Sequence, residues 1–150
     1  MRGLITCLKS GDYMILDLDT KQTMQAKASG LFRHHGQKPK VGDYVEYQLM
    51  NDTKAYITKL EDRKNDLVRP AICNIDQAFV VFSVKDPDFN TNLLDRFLTI
   101  LNYNNIDAIL IFTKWDLLNF DEKQQIEKYQ EYYEKIGYPV INVDKNSDID

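Results

Sequence analysis

The chain has 150 residues, a hydrophobic content of 43% and a formal net charge of −4 at pH 7. A chain of this length forms one or two small domains, and its acidic balance excludes a nucleic-acid binder whose surface is basic throughout, although a local basic patch is compatible with it. The two cysteines stand far apart and no His/Cys cluster exists, so the spacing indicates no metal site. No apolar run approaches the roughly 20 residues of a membrane-spanning helix, so we expect a cytoplasmic protein without membrane contact.

Residues 1–62 show short extended runs separated by turn residues. A turn at Gly11 separates the first two runs, and "TMQAKASGLF" predicts a third strand. After a turn at Gly42, Val45 and Tyr47 alternate with polar residues, and "KAYITKLEDR" continues the same pattern. Five short strands at this spacing favour a small barrel, so we predict an OB-like five-stranded β-barrel over residues 1–62.

The pattern changes after the charged segment "EDRKNDLVRP". The apolar run "AFVVFSV" is typical of a strand buried on both faces, and a helix with leucines at helical spacing follows it. "IDAILIF" predicts a second buried strand and "YPVINV" a third; between them lies a helix that a capping box of Asp121 and Gln124 would begin and Gly137 would end. We therefore predict a βαβαβ unit with a parallel sheet over residues 63–150. Because three strands are few for such a domain, we expect its fold to be incomplete at residue 150.

The sequence "TKWD", Thr113 to Asp116, follows the second buried strand. In open parallel sheets, ligands bind beyond the carboxyl ends of the strands. An aspartate there can accept hydrogen bonds from the ring N–H and the exocyclic amine of guanine, a donor pair that adenine lacks, while the stem of Lys114 can cover the purine and Thr113 can fix the loop. The pattern matches the [NT]KxD guanine-specificity motif, with Trp115 at the variable position. The alternative is a solvated loop in which Asp116 caps a following turn.

A P-loop GTPase also needs a GxxxxGK[ST] loop for the phosphates and a DxxG segment near the γ-phosphate. None of the six glycines begins the first motif or ends the second. Either the protein is not a GTPase, or the order of its motifs is permuted and the phosphate loop follows residue 150.

The segment "RKNDLVRPAICNIDQAFVVFSVKDPDFNTNLLDRFL", with TKWD after it and a β-rich region before it, resembles the ribosome small subunit-dependent GTPase family that includes RsgA, YjeQ and YloQ. "ASGLFR" and "KPKVGDYVEY" match the same family, so the resemblance extends over nearly the whole chain. It implies a circularly permuted GTPase domain, in which the guanine motif precedes the phosphate loop. The chain then resembles the amino-terminal half of such a protein.

The resemblance implies that the complete protein hydrolyses GTP to GDP with Mg²⁺ while docked on the small (30S) ribosomal subunit, and that it assists late maturation of that subunit. It implies guanine binding at Thr113, Lys114, Trp115 and Asp116, and a zinc site in the region beyond residue 150. We also expect a monomer, and no catalytic or metal-binding residue within these 150 residues.

The resemblance further implies that the OB-like domain binds 16S rRNA. A basic stretch between strand candidates could contact RNA phosphates; it consists of Arg33, His34, His35, Lys38 and Lys40. The alternative for this stretch is a solvated charged loop. A different function for the whole chain also stays open, namely a non-catalytic RNA-binding module in which the Rossmann-like half only supports the OB-like barrel.

Overall fold

The computed structural model describes residues 1–9, 11–28, 32, 38–51 and 53–145. It divides into two compact units, Met1–Ile75 and Asp76–Asp150. The sequence pattern changes after residue 62, whereas the compact units divide after Ile75. The domain limits 1–62 and 63–150 therefore stay a prediction. No helix of the described residues is long and apolar enough to cross a membrane.

The first unit contains a closed β-barrel. Its strands are β1 (Arg2–Lys9), β2 (Asp12–Asp17), β3 (Thr23–Ala28), β4 (Tyr44–Asn51) and β5 (Lys54–Leu60). They follow the order β1-β2-β3-β5-β4, and β1 pairs with β4 to close the barrel. Strands β3 and β5 run parallel, whereas the other neighbours are antiparallel. This topology confirms the predicted OB-like fold.

Alternate residues of the five strands fill the barrel, as the period of two in a strand requires. The buried residues are Ile5, Ile15, Met24, Ala26, Val45, Tyr47, Ala55 and Ile57. The pair predicted from its alternation, Val45 and Tyr47, lies among them. Removal of this apolar surface from water, at about 25 cal/mol per Å², is the main force that closes the barrel.

The barrel also encloses a carboxylate, Asp17, which is fully buried. The hydroxyl of Tyr47 donates a hydrogen bond to it. The carboxylate also accepts from the backbone N–H and the hydroxyl of Thr20, at 2.5 and 2.9 Å, and from the backbone N–H of Asp19 at 3.0 Å. These donors, the Thr20 N–H first, lower the pKa of Asp17 to about 2, because they stabilise the charged form.

The segment that follows the barrel is attached to it around a second buried carboxylate, Asp43. Arg63 donates two hydrogen bonds to this carboxylate, at 2.7 and 2.8 Å, and the thiol of Cys73 lies 3.1 Å from it. The neighbouring Gly42 has a φ of +94°, and its carbonyl accepts from the side chain of Asn74 at 2.8 Å. Polar contacts therefore fix the residues after β5 within the first unit.

The second unit is a parallel three-stranded sheet with two helices. Its elements are β6 (Gln77–Ser83), α1 (Thr91–Tyr103), β7 (Asp107–Thr113), a 3₁₀ helix (Trp115–Leu117), α2 (Phe120–Lys135) and β8 (Val140–Val143). The strand order is β6-β7-β8, with β7 in the centre. The predicted βαβαβ arrangement is confirmed.

Both helices lie on the same face of this sheet. Phe97 of α1 packs against Phe82 of β6, with 6.0 Å between ring centroids, and Asn142 of β8 donates to a side chain of α2. Phe82 and Asn142 stand in register across β7, so they point to one face. Exposed on the opposite face are Phe79 (64%), Val81 (60%) and Ile141 (47%). The prediction that the apolar run of β6 forms a strand buried on both faces is therefore wrong for the described residues.

The second helix begins at a different residue from the one predicted. Asn119 is its N-cap: its side chain accepts from the backbone N–H of Glu122, and the Glu122 carboxylate accepts from the N–H of Asn119, both at 2.9 Å. The predicted capping box of Asp121 and Gln124 is wrong, because Asn119 and Glu122 offer the same spacing two residues earlier. Gly137, with a φ of +101°, follows the C-cap and ends the helix as predicted.

Candidate nucleotide-binding site

The TKWD segment lies at the carboxyl end of β7, the central strand of the sheet. Thr113 is the last residue of the strand, and its hydroxyl donates to the carbonyl of Phe82 at 3.3 Å. The carbonyl of Thr113 in turn accepts from the backbone N–H of Val84 at 3.1 Å. The start of the segment is thus fixed to the end of the neighbouring strand β6.

Lys114 leaves the strand in the left-handed conformation, with a φ of +65°. This conformation is uncommon for a residue with a Cβ, and it turns the chain sharply out of the sheet. The side chain of Lys114 is held, because its ammonium group donates to the carbonyl of Asp86 in the loop after β6. Trp115 follows, half-buried, as the first residue of the 3₁₀ helix.

Asp116 is exposed and lies in the middle of the 3₁₀ helix. Within the part of the chain that the structure describes, its carboxylate has neither a hydrogen bond nor an ion pair. The alternative interpretation required Asp116 to cap a following turn. Among the described residues it does not, and the cap of the following helix is Asn119. A carboxylate with unused acceptor capacity at the end of a parallel strand is available to a ligand.

The loop after β6 and the start of α2 meet beside this segment. Lys85 in the loop forms an ion pair with Glu122, whose second oxygen accepts from the N-cap residue. The ion pair lowers the pKa of Glu122 and raises that of Lys85. Asn90 is the N-cap of α1, and its side chain accepts from the backbone N–H of Leu93 at 3.0 Å.

The sequence predicts that the TKWD segment binds the base of a guanine nucleotide. The carboxylate of Asp116 is unpaired and the side chain of Lys114 is held by Asp86, and the roles of both towards a base stay a prediction. No group of three His, Cys, Asp or Glu side chains among the described residues is placed to hold a metal ion. The sequence also has no GxxxxGK[ST] loop.

Of the basic residues predicted to bind RNA, the structure describes Lys38 and Lys40. Arg33, His34 and His35 lie outside the described residues. Lys38 is exposed, whereas Lys40 forms an ion pair with a carboxylate, that of Asp66, and donates to a backbone carbonyl at 3.1 Å. Both lysines line a cavity of about 550 Å³, together with Leu60, Glu61, Asp62, Arg63 and Asp66. Since the charges around this cavity have both signs, it does not form a purely basic site.

Two features of the site are absent from the sequence prediction. The acceptor for Lys114 is a backbone carbonyl, which no residue type signals, and the pair of Lys85 with Glu122 joins residues 37 positions apart. One signal was available: Asn119 and Glu122 have the spacing of a capping box, which places Glu122 at the start of a helix directly after TKWD.

Two family models match the chain. The model of the RsgA N-terminal domain matches residues 2–57, and that of the RsgA GTPase matches residues 60–150. A small ribosomal subunit biogenesis GTPase, RsgA 2 of Oceanobacillus iheyensis, is 46% identical over 148 residues, which cover 98% of this chain and 50% of that protein.

Solved structures show the same architecture. The crystal structure of YloQ, described as a circularly permuted GTPase, superposes with a TM-score of 0.82 at 42% identity and covers 97% of this chain and 52% of that one. YjeQ from Thermotoga maritima gives a TM-score of 0.84 at 29% identity and covers 95% and 51%. The chain thus spans about half the length of the curated relatives it matches.

Proposed function

The chain belongs to the RsgA family, and from this premise we propose that the complete protein is a cytoplasmic GTPase that assists the maturation of the small ribosomal subunit. In this proposal the 150 residues contribute an RNA-binding barrel and the part of a circularly permuted GTPase domain that recognises the base. The family's relatives carry the name of a small ribosomal subunit biogenesis GTPase, which supports both the reaction and the partner.

The observation that carries the proposal is the unpaired carboxylate of Asp116 at the carboxyl end of the central strand. It accepts two hydrogen bonds from guanine, at the ring N–H and the exocyclic amine. Lys114 lies along the purine with its stem, and Thr113 holds the strand end in place. Adenine offers no matching pair of donors, so its binding leaves the carboxylate without partners and is disfavoured by about 1–3 kcal/mol.

Hydrolysis needs groups that position and neutralise the phosphates, and Mg²⁺, when bound, would supply positive charge that offsets the charge of the phosphates. We place the residues for this step, and the zinc site that the family resemblance implies, in the part of the protein beyond residue 150. In this proposal the described residues orient the nucleotide by its base, and the region beyond residue 150 binds its phosphates.

The barrel contributes the contact with the 30S subunit through 16S rRNA. OB folds bind single-stranded nucleic acid on a barrel surface that combines positive charge with stacking side chains. The exposed Lys38 and the adjacent residues 33–35 are the proposed phosphate contacts, whereas Lys40 is already paired with Asp66. We propose that the protein acts as a monomer on the subunit.

The substitution Asp116→Asn in the complete protein tests the guanine site. An amide offers a donor to the 2-oxo group of xanthine and loses one acceptor for guanine, so we expect the affinity for GDP to fall at least about tenfold and that for XDP to rise. Fluorescent GDP and XDP measure both dissociation constants. An unchanged preference for guanine would reject the site, and the non-catalytic RNA-binding module would then be the better interpretation.

A further inference from the structure

Asp116 lies on a short segment that is held at both ends. Before it, the ammonium group of Lys114 donates to the carbonyl of Asp86. After it, the backbone N–H of Asn119 donates to the carboxylate of Glu122 at 2.9 Å. The carboxylate of Asp116 itself has no hydrogen bond or ion pair among the described residues, so these two anchors are the polar contacts that hold its segment.

An ion pair joins the two anchors. Lys85, the residue before Asp86, donates to one carboxylate oxygen of Glu122, while the other oxygen accepts from Asn119. The side chains of Lys85 and Glu122 are 29% and 34% exposed, so water only partly screens the pair. Together with the backbone from Lys114 to Asn119, which includes Asp116, these contacts form a closed loop. We call the residues that make the contacts the anchor ring; they are Lys85, Asp86, Lys114, Asn119 and Glu122.

We propose that the ion pair of Lys85 and Glu122 positions the carboxylate of Asp116 for recognition of the base. This inference rests on the proposed guanine site. Two hydrogen bonds to one edge of a purine require the carboxylate to stay within about 0.5 Å of its place. When the ion pair is broken, the two ends of the segment that carries Asp116 move independently. The carboxylate then makes both hydrogen bonds to guanine at once less often and makes only one of them more often. Lys85 and Glu122 are thus positioning residues that act through Asp116.

A role in stability alone makes a different prediction. A less stable protein has a smaller folded fraction, which weakens the binding of every nucleotide by the same factor. A positioning role instead changes the ratio between nucleotides that make different numbers of hydrogen bonds with Asp116. Inosine lacks the exocyclic amine of guanine and offers one of the two donors, so the preference for GDP over IDP reports the geometry of the carboxylate.

The test compares Lys85→Met and Glu122→Gln in the complete protein. Met keeps most of the stem of Lys85 without its charge, and Gln can still accept from Asn119 as part of a capping box. We expect each variant to lower the preference for GDP over IDP about two- to fivefold. The double variant should lose no more than either single one, because both break the same pair. Lys85→Arg should keep the wild-type preference, since it retains the charge.

The matched control is the ion pair of Lys59 with Glu46 on the barrel, at 2.9 Å, and neither of these residues belongs to the anchor ring. Lys59→Met combined with Glu46→Gln should leave the preference unchanged. An unchanged preference in Lys85→Met and Glu122→Gln, or an equal loss of affinity for GDP and IDP, would overturn the positioning role. Asp116→Asn is measured in parallel: if it too leaves the preference unaltered, the guanine site itself is wrong, and if it alone lowers the preference, only the ion-pair proposal fails.

Discussion

At the scale of single residues, the barrel depends on a carboxylate that stays charged in its interior. Asp17 is fully buried and accepts hydrogen bonds from Tyr47, from Thr20 and from the backbone of Asp19. A buried carboxylate is tolerated when donors replace the lost water, and these donors do so on both oxygens. The depressed pKa of Asp17, about 2, therefore makes the stability of the first unit depend on pH.

The direction of this dependence follows from the lowered pKa. An unfolded aspartate titrates near pH 4, so the stability that Asp17 contributes is complete above that pH and is lost as the pH falls towards 2. We predict that urea denaturation, followed by circular dichroism between pH 5 and pH 2, shows this loss in the wild type and a shallower slope in Asp17→Asn. Asp19→Asn, an exposed neighbour, should keep the wild-type slope. An equally steep slope in Asp17→Asn would contradict the prediction.

The candidate site could be located from the sequence but not completed from it. TKWD stands out because a four-residue motif follows an apolar run, and both are local signals. The groups that hold it are not local: Lys114 is bonded to a backbone carbonyl 28 positions away, and Lys85 reaches Glu122 across the fold. Such partners are set by the packing of strands and helices, which the sequence pattern does not specify at the level of single contacts.

At the scale of elements, one glycine controls how closely the segment after β5 approaches the barrel. Gly42 has a φ of +94°, and a Cβ at this position would lie 2.0 Å from the carbonyl oxygen of Cys73. Gly11, in the turn between β1 and β2, has a similar φ of +86° but open space around it. The two glycines share a backbone requirement and differ in crowding, so they form a matched pair.

We predict that Gly42→Ala destabilises the first unit by at least about 2 kcal/mol, since it adds a steric clash to the strain of a positive φ. Gly11→Ala should cost only about 1 kcal/mol, the backbone contribution alone. Thermal and urea unfolding of both variants measure the difference. Equal losses of stability would show that the approach of Cys73 to Gly42 is not as close as described.

The sequence predicts the barrel strands better than it predicts the burial of β6. Burial alternates along the buried parts of β3, β4 and β5, because one face of each strand packs inside and the other meets water. The strand β6 misled the prediction, since a continuous apolar run is buried on both faces only when both faces are covered. Among the described residues, α1 and α2 cover one face, and Phe79 and Val81 stay exposed. The apolar run therefore indicates that both faces of β6 are apolar, but it does not indicate which of the two faces other elements cover.

At the scale of the whole molecule, the proposed function assigns one part of a chemical reaction to this chain. In the proposed function the second unit contributes the carboxylate of Asp116 for the base, and the 150 residues contain no GxxxxGK[ST] loop. In phosphoryl transfer, nearly all of the catalysis comes from positioning and charge stabilisation at the phosphates. Recognition of the base and hydrolysis should therefore be separable between this chain and the rest of the protein.

The most direct test of the proposed GTPase is the steady-state release of phosphate from GTP, with and without 30S subunits. We predict that the complete protein releases phosphate and does so faster when subunits are present. Residues 1–150, checked for folding by circular dichroism, should release none above the buffer rate under either condition. Phosphate release by residues 1–150, or no release by the complete protein with subunits present, would contradict the proposed function.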